Sequence, residues 1–239
     1  MSALFEKLKK RRVSSFLSAL MLAFPVFLYM ITYGEKTDTA MTNEGEYTLV
    51  IDAGHGGIDS GAVAADGSKE SDINLAIALK LRALAELCGQ DNIMIRQDDS
   101  TMSDAANYSE RRDLEHRAEI VNSAGNCVYF SIHQNYYPTG QPSGSLVIYA
   151  SGEESEKLGK LTHQNLILSL NPENRRIAEP AEDNYYVLSH VACPAILVEC
   201  GFMSNFSEME RLKSPEYQTS LASVLMSSFL QYTQSSKYI

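Results

Sequence analysis

The sequence predicts an α/β fold, with a mostly parallel or mixed twisted sheet covered by helices on both faces, in a single domain behind an N-terminal transmembrane helix. Short β-branched and aromatic runs alternate with longer amphipathic runs from residue 47 onward, as in parallel sheets whose strands are joined by crossover helices. A hydrophobic content of 44% beside 21% charged residues is that of a globular protein, which argues against global disorder.

The N-terminal region is predicted to be a basic tail followed by a membrane anchor. Residues 1–12 carry five Lys or Arg against one Glu. Residues 13–33 (VSSFLSALMLAFPVFLYMITY) are 21 residues without a charge, enough to cross ~30 Å of hydrocarbon as a helix. The basic tail orients the N-terminus inside and the body outside the membrane. A cleaved signal peptide is the alternative, although its apolar region is usually shorter, about 7–15 residues.

The remaining chain is divided into a linker and one folded domain. Residues 34–46 are polar and small, as in a flexible linker, and the folded domain is predicted to span residues 47–235. The net charge of −10 combines +4 from the basic tail with −14 from the rest of the chain. Because an acidic body repels phosphate backbones, nucleic acid is not expected as a partner.

The first half of the domain is predicted to contain three strands and two helices. A strand over Tyr47–Asp52 runs directly into a glycine-rich turn. A helix capped by Ser71 or Asp72 is expected to reach Gly89, since apolar residues recur at helical spacing. The elements expected next are a strand at Ile93–Arg96, a helix at Ser109–Asn122 and an apolar strand at Cys127–Ile132.

The second half continues the alternation and ends in a helix. The expected elements are a strand at Ser145–Ala150, a helix at Glu153–Leu170, a short extended piece at Tyr185–Leu188, a strand at Ala195–Glu199 and a helix at Ser214–Tyr232.

Four side chains that can bind a metal or carry a proton are expected at one edge of this sheet. His55 and His133 each follow a predicted strand, and Glu199 ends one. In open α/β sheets, ligands bind beyond the carboxyl ends of the strands. The glycine-rich loop before Glu70 can fold back over the first strand and bring that carboxylate to the same edge.

Two imidazoles and one carboxylate form a common catalytic zinc set, which leaves a fourth position open for water. We therefore expect His55, Glu70 and His133 to bind one Zn²⁺ per chain. A nearby carboxylate that does not bind the metal can take the proton from water and pass it to a leaving amine. Glu199 is the candidate for that role, and the predicted reaction is a hydrolysis.

Each of these residues also has a purely structural interpretation. His55 can lie on the surface of a tight turn, His133 can be a hydrogen-bonded histidine at a strand end, and Glu70 can be a favourable charge at a helix N-terminus. Glu199 can form a buried ion pair with an arginine such as Arg117. The joint occurrence of the four residues at one sheet edge favours the functional interpretation.

The other histidines and the cysteines are given structural roles. His116, His163 and His190 are predicted to be solvated surface residues. Four cysteines would suit disulfides in an exported protein, but none of them has the close spacing of a metal or redox motif. They are therefore interpreted as buried thiols that pack as small hydrophobes. The four are Cys88, Cys127, Cys193 and Cys200.

Four segments together strongly resemble the zinc-dependent N-acetylmuramoyl-L-alanine amidases of type 3. They are IDAGHGGIDSGA from Ile51, Glu70, SIHQN from Ser131 and LVECGFMSN from Leu197. The resemblance covers about residues 48–232. Within the family, the anchor and the YSERR stretch from Tyr108 look most like the germination-specific amidase of the spore cortex.

The resemblance implies hydrolysis of the amide between the lactyl group of muramic acid and L-alanine in peptidoglycan, as a step toward the muramic δ-lactam of spore cortex. It implies zinc at the matches His55, Glu70 and His133, and catalysis by the match Glu199. It also implies an extracytoplasmic enzyme, in the cell envelope or forespore intermembrane space, with a possible extracytoplasmic protein partner. Ala53 stands where the family usually has proline, and Gln134 where a small residue is common.

Two alternatives to this activity remain. A zinc peptidase would cut within the stem peptide rather than at the sugar. A wall-binding relative would have kept the fold without turnover. The products released from peptidoglycan distinguish the three.

Overall fold

The computed structural model describes residues 47–103 and 105–236. The predicted basic tail, transmembrane segment and linker, residues 1–46, lie outside the described residues. Among the helices of the described ranges, none combines the length and apolar character needed to span a membrane.

The fold is built on one six-stranded sheet with the strand order β2-β1-β3-β6-β4-β5. The first four strands in that order run parallel, β4 runs antiparallel to β6, and β5 is parallel to β4. The predicted mostly parallel, mixed sheet is therefore confirmed. The strands are β1 (Thr48–Ala53), β2 (Asn92–Met94), β3 (Cys127–Asn135), β4 (Leu146–Tyr149), β5 (Glu179–Pro180) and β6 (Ala195–Phe202).

Helices cover both faces of the sheet because side chains in the strands alternate between two apolar clusters. Ile51, Phe130 and Val198 belong to one core, against which α1, α3 and α6 pack. Val50 and Tyr129 belong to the other core, beside α2 and α4. The helices are α1 (Glu70–Leu87), α2 (Glu110–Ser123), α3 (Glu153–Leu170), α4 (Tyr186–His190), α5 (Phe206–Lys213) and α6 (Pro215–Ser236).

The two central strands extend further than the sequence predicted. His133 was expected to follow a strand and Glu199 to end one, but β3 continues to Asn135 and β6 to Phe202. The register pairs His133 with Glu199 and Asn135 with Phe202. Because each strand supplies hydrogen-bond partners to the other, both continue past their apolar residues. The two side chains thus lie on neighbouring strands, one opposite the other.

The N-terminus of α1 differs from the prediction. The helix begins at Glu70 with Lys69 at the N-cap position and no side-chain cap, so the expected caps Ser71 and Asp72 are wrong. The backbone N–H of Glu70 donates to the Ala62 carbonyl at 2.9 Å, and that of Ser71 to Ser60 at 3.1 Å. The preceding loop therefore satisfies the first N–H groups of the helix, and no capping side chain is needed.

Two helices and the short strand β5 also differ from the sequence prediction, which contained no strand at Glu179–Pro180. The segment predicted to be extended around Tyr185–Leu188 forms α4, which buries Val187 and Leu188 against the sheet. Helix α5 was not predicted. The sequence does contain a signal for this helix, because Asn205 is a residue type that favours the N-cap position. In the structure its side chain accepts hydrogen bonds from the backbone of Ser207 and Glu208.

Candidate active site

Three of the predicted site residues meet at the carboxyl edge of the sheet. His55 follows β1, Glu70 is the first residue of α1, and His133 lies in β3. His55 Nε2 lies 3.3 Å and His133 Nδ1 3.0 Å from Glu70 Oε1. One donor atom from each residue falls within 4.8 Å of the others.

This donor set fits a zinc ion. Tetrahedral coordination with bonds of ~2.0–2.2 Å sets neighbouring donor atoms roughly 3.3–3.6 Å apart. The two contacts to Glu70 Oε1, 3.3 and 3.0 Å, are close to that spacing. Nitrogen and carboxylate donors also match the preference of Zn²⁺. The three residues could therefore hold one zinc ion with only a small adjustment.

Glycines allow the site to be this compact. A Cβ placed on Gly54 would lie 2.1 Å from His133 Nε2, and one on Gly61 would lie 2.6 Å from Glu70 Oε2. His55 itself has a φ of 60°, a left-handed conformation that is uncommon for residues other than glycine. The turn after β1 is thus held in a strained form that aims the imidazole at Glu70.

Two buried arginines hold that turn in place. Arg96 donates from Nε to the Ala53 carbonyl at 2.7 Å and from Nη2 to the Gly54 carbonyl at 3.1 Å. Arg117 donates from Nη2 to the His55 carbonyl at 2.9 Å. Because these bonds reach consecutive carbonyls, they oppose relaxation of the left-handed turn. Ala53, where the family usually has proline, is fixed here by hydrogen bonds to its carbonyl.

The positive charge of Arg117 is balanced by Asp52 and Asp113, with which it forms buried ion pairs. Asp52 also accepts a 2.6 Å hydrogen bond from the Tyr129 hydroxyl. Arg117 is therefore fully engaged away from Glu199. Arg117 therefore forms its ion pairs with Asp52 and Asp113 and not with Glu199, so the structural alternative for Glu199 is wrong.

Asp59 orients His55. Its Oδ2 lies 2.7 Å from His55 Nδ1, and its other oxygen accepts from the Gly61 N–H at 3.0 Å. A proton held on Nδ1 by Asp59 leaves Nε2 as the nitrogen that is available to a metal ion. Burial opposes the charged imidazole, but the hydrogen bonds to Asp59 and Glu70 outweigh it and raise the pKa of His55 to about 10. The surroundings therefore favour a positive charge at this position.

Glu70 is a buried carboxylate whose two oxygens are both engaged. Oε1 accepts from the backbone N–H of Gln134 at 3.0 Å, and Oε2 from that of Ala62 at 2.9 Å. Burial disfavours its charge, but hydrogen bonds with His133 and His55 prevail and hold the pKa of Glu70 well below its usual range. The Gln134 side chain donates to Asn74 Oδ1 at 3.0 Å, so it supports the residues around Glu70.

Glu199 lies across from His133 in the sheet register. Its Oε2 is buried and has no hydrogen-bond partner among the described residues. Burial, followed by the charge of Glu70, raises the pKa of Glu199 to about 7, although His133 and His55 partly offset the rise. A carboxyl group with this pKa can both accept and return a proton near neutral pH.

A cavity of about 220 Å³ opens over these residues. Its lining includes His55, His133 and Glu199 together with the aromatic and aliphatic residues Tyr185 and Leu188. The apolar wall comes from α4 and the residue before it. An extended substrate can therefore be held against this wall with one bond above the donor atoms and Glu199.

Sequence reasoning missed Asp59, Arg96 and Tyr129, which orient the site. Asp59 lies four residues after His55 in the glycine-rich loop. This short separation could have suggested a contact between the two side chains. Arg96 and Tyr129 gave no local signal, because their partners lie 43 and 77 residues away in the chain. Long-range contacts of this kind depend on the folded topology.

Two structural predictions for other residues are wrong in part. His116 and His190 are exposed as expected, but His163 is buried and its Nε2 lies 2.8 Å from the Arg176 carbonyl. Of the cysteines expected to be buried, Cys88 is exposed and Cys193 is half-buried. Cys88 directly follows the last residue of α1, where the helix leaves the core.

Comparisons with known proteins identify the family. Residues 49–228 match the family described as N-acetylmuramoyl-L-alanine amidase. The germination-specific N-acetylmuramoyl-L-alanine amidase of Bacillus subtilis is 30% identical, over 94% of this chain and 95% of its own length.

Solved structures of N-acetylmuramoyl-L-alanine amidases are also similar to this chain. The CwlD amidase of Clostridioides difficile, solved in complex with the GerS lipoprotein, is 34% identical with a TM-score of 0.75, covering 79% of this chain and 99% of that chain. The amidase AmiC2 of Nostoc punctiforme is 29% identical with a TM-score of 0.70, covering 80% and 98%. The chain belongs to the N-acetylmuramoyl-L-alanine amidase family and is a hydrolase of that class.

Proposed function

We propose that this amidase is a zinc enzyme in which His55, Glu70 and His133 bind one Zn²⁺ and Glu199 is the catalytic residue. The observation that carries the proposal is the meeting of three donor atoms within 4.8 Å beside a buried carboxylate oxygen without a partner. The reaction is hydrolysis of the amide between the muramic acid lactyl group and L-alanine in peptidoglycan.

The chain's own residues account for the proton transfers. Zinc bound at the three donors supplies a Lewis acid for the scissile carbonyl. Glu199 accepts a proton from the attacking water and returns it to the departing amine of L-alanine. Its pKa near 7 suits both steps. Asp59 keeps the His55 Nε2 lone pair directed into the site.

The substrate is held by the cavity beside these groups. Tyr185 and Leu188 form an apolar wall, against which a sugar ring or an alanine methyl group can pack. Tyr108 also lines this cavity, and its hydroxyl donates to Asp59 at 3.3 Å.

The decisive experiment digests purified peptidoglycan with the full chain, with and without Zn²⁺. The expected products are muramic acid with a free lactyl carboxylate and intact peptides that begin with L-alanine, identified by mass spectrometry. Shortened stem peptides would instead establish the zinc peptidase. Wall binding without any released product would establish the non-catalytic relative.

We further propose that the enzyme acts outside the cytoplasm on spore cortex, anchored by residues 13–33. The support is the name of the Bacillus subtilis relative, which is germination-specific, together with the uncharged segment behind a basic tail. Loss of the gene is expected to remove muramic δ-lactam from cortex muropeptides. Cortex with unchanged δ-lactam content would contradict this setting.

A protein partner is proposed because the Clostridioides difficile amidase was solved with a lipoprotein. The test is co-purification of the full chain from sporulating cells with a tag on the C-terminus. A stoichiometric extracytoplasmic protein retained through washing supports the proposal, and recovery of the amidase alone at full activity contradicts it.

A further inference from the structure

The two thiols of Cys127 and Cys193 lie together on the side of the sheet opposite to the edge that carries the active site. Cys127 is the first residue of β3, and Cys193 precedes β6 by two residues. The register pairs Tyr129 with Ala195, so each cysteine stands two residues before the same register pair. Both side chains pack in the same apolar cluster.

Hydrogen bonds fix the backbone on both sides of Cys193. The Ala192 N–H donates to the Asn122 side chain at 3.0 Å, and the Pro194 carbonyl accepts from the Tyr129 N–H at 2.9 Å. Neighbouring strands lie about 4.8 Å apart, and a disulfide needs Cα atoms roughly 4.4–6.8 Å apart. Two residues that both stand two positions before the Tyr129–Ala195 pair, at the spacing of neighbouring strands, would lie within the reach of a disulfide.

The thiols already interact. The Cys127 thiol donates to the Val121 carbonyl at 3.6 Å, and a hydrogen bond between the two thiols lowers the pKa of Cys127 and raises the pKa of Cys193. Cys127 is buried whereas Cys193 is half-buried, so a reagent from solvent reaches Cys193 first. This arrangement suits a pair in which the more exposed thiol forms a mixed disulfide with the oxidant and the buried thiol resolves it.

We propose that Cys127 and Cys193 form a disulfide bond when the domain meets a disulfide oxidant. The Cys193 thiol loses its proton to solvent and its sulfur attacks one sulfur of the oxidant disulfide; a mixed disulfide forms, and the other oxidant sulfur leaves as a thiolate that takes up a proton. The Cys127 thiolate then attacks the Cys193 sulfur and releases the second oxidant thiol. The cysteine pair loses two hydrogens and two electrons, and the oxidant is reduced to two thiols.

The bond would join two central strands across 66 residues of chain. A cross-link over a loop of this length stabilises the folded state chiefly by restricting the unfolded chain. Because it lies at the amino ends of β3 and β6, it leaves His133 and Glu199 in place. The inference rests on this geometry alone and stands whether or not the zinc mechanism is correct.

The test incubates the full chain with glutathione disulfide and maps its peptides without reduction. We expect a linked pair of peptides containing Cys127 and Cys193, with a mass two hydrogens below their sum. The exposed Cys88 is an internal control, because it forms a mixed disulfide with glutathione under the same conditions. If Cys88 is modified while Cys127 and Cys193 both remain alkylatable thiols, the proposal is overturned.

Variants separate the bridge from nonspecific oxidation. In Cys127→Ser, Cys193 is expected to retain glutathione, since the resolving thiol is absent, whereas Cys88→Ser leaves the bridge intact. The oxidised wild-type chain is expected to melt roughly 5–10 °C above its reduced form. That difference disappears in Cys193→Ser and persists in Cys88→Ser. Equal melting temperatures of oxidised and reduced wild-type protein would also overturn the proposal.

Discussion

At the scale of single residues, the site contains two glutamates, Glu70 and Glu199, whose surroundings give their carboxyl groups different pKa values. Glu70 is stabilised as an anion by two imidazoles and two backbone N–H groups. Glu199 receives no such hydrogen bonds at Oε2. The same residue type therefore has a lowered pKa at one position and a raised pKa at the other, and this difference suits Glu70 to the proposed role of metal ligand and Glu199 to the proposed role of proton carrier.

Replacing Glu199 by Gln is expected to reduce turnover by about 10²–10⁴-fold, because the amide cannot accept the proton from water. Zinc content should stay at the wild-type level, since the three donor residues are unchanged. Peptide release and metal content of the same preparation are the two measurements. The control is Glu173→Gln on the exposed surface. Full activity of the Glu199 variant would falsify the assignment.

The raised pKa of Glu199 also predicts a pH-dependent stability of the metal-free protein. The pKa rises from 4.5 to about 7 on folding, so the folded state binds this proton more tightly than the unfolded state. The associated stability is fully present below pH ~4.5 and is lost as the pH rises to about 7. Glu199→Gln removes this loss.

In the presence of a chelator, the Glu199→Gln variant should therefore gain free energy of unfolding relative to wild type between pH ~4.5 and ~7, by an amount on the order of 3 kcal/mol. Urea unfolding at several pH values measures it, and Glu173→Gln is expected to track wild type throughout. A difference that is constant over this range would show that the Glu199 pKa is not raised.

Asp59 is predicted to act through His55. Asp59→Ala removes the acceptor from His55 Nδ1 and should weaken zinc affinity by roughly 10–100-fold, as loss of a residue that orients a metal ligand does. Competition with a chelator of known affinity measures it. Asp66→Ala is the control, because its ion pair with Lys213 lies on the surface away from His55. Equal zinc affinity in both variants would remove Asp59 from the site.

At the scale of elements, the bounds of a helix or strand could be predicted best where the segment has an amphipathic pattern. They could be predicted least well where tertiary contacts determine the ends of the segment. Helix α3 has the bounds that its pattern predicted. The ends of β3 and β6 were set instead by their pairing with each other, and α4 by burial of two adjacent residues. The proposed metal-binding residues could be suggested from sequence because each adjoins the end of a predicted strand or helix.

Helix α5 gives a prediction at this scale. The Asn205 side chain caps its N-terminus, so Asn205→Ala should lower the free energy of unfolding by about 1 kcal/mol. Asn184→Ala, in an exposed loop, is the control and should change it by less than about 0.5 kcal/mol. Chemical denaturation measures both. Equal midpoints for the two variants would mean that the cap contributes nothing.

At the scale of the whole molecule, the active site links elements that are distant in the chain. The three donor residues lie after β1, at the start of α1 and in β3, and the unfolded chain does not hold them together. A ligand that binds only the folded state stabilises it by mass action, by about 2.7 kcal/mol at a concentration 100 times its dissociation constant.

Zinc should therefore raise the melting temperature of the whole domain, and a chelator should reverse the rise. His133→Ala is expected to abolish the zinc-dependent increase, because it removes one of three donors, while His116→Ala, an exposed histidine on α2, keeps it. Calorimetry with and without Zn²⁺ compares the three proteins. If the His133 variant is stabilised by zinc as strongly as wild type, the metal binds elsewhere and the three residues at the sheet edge are not its ligands.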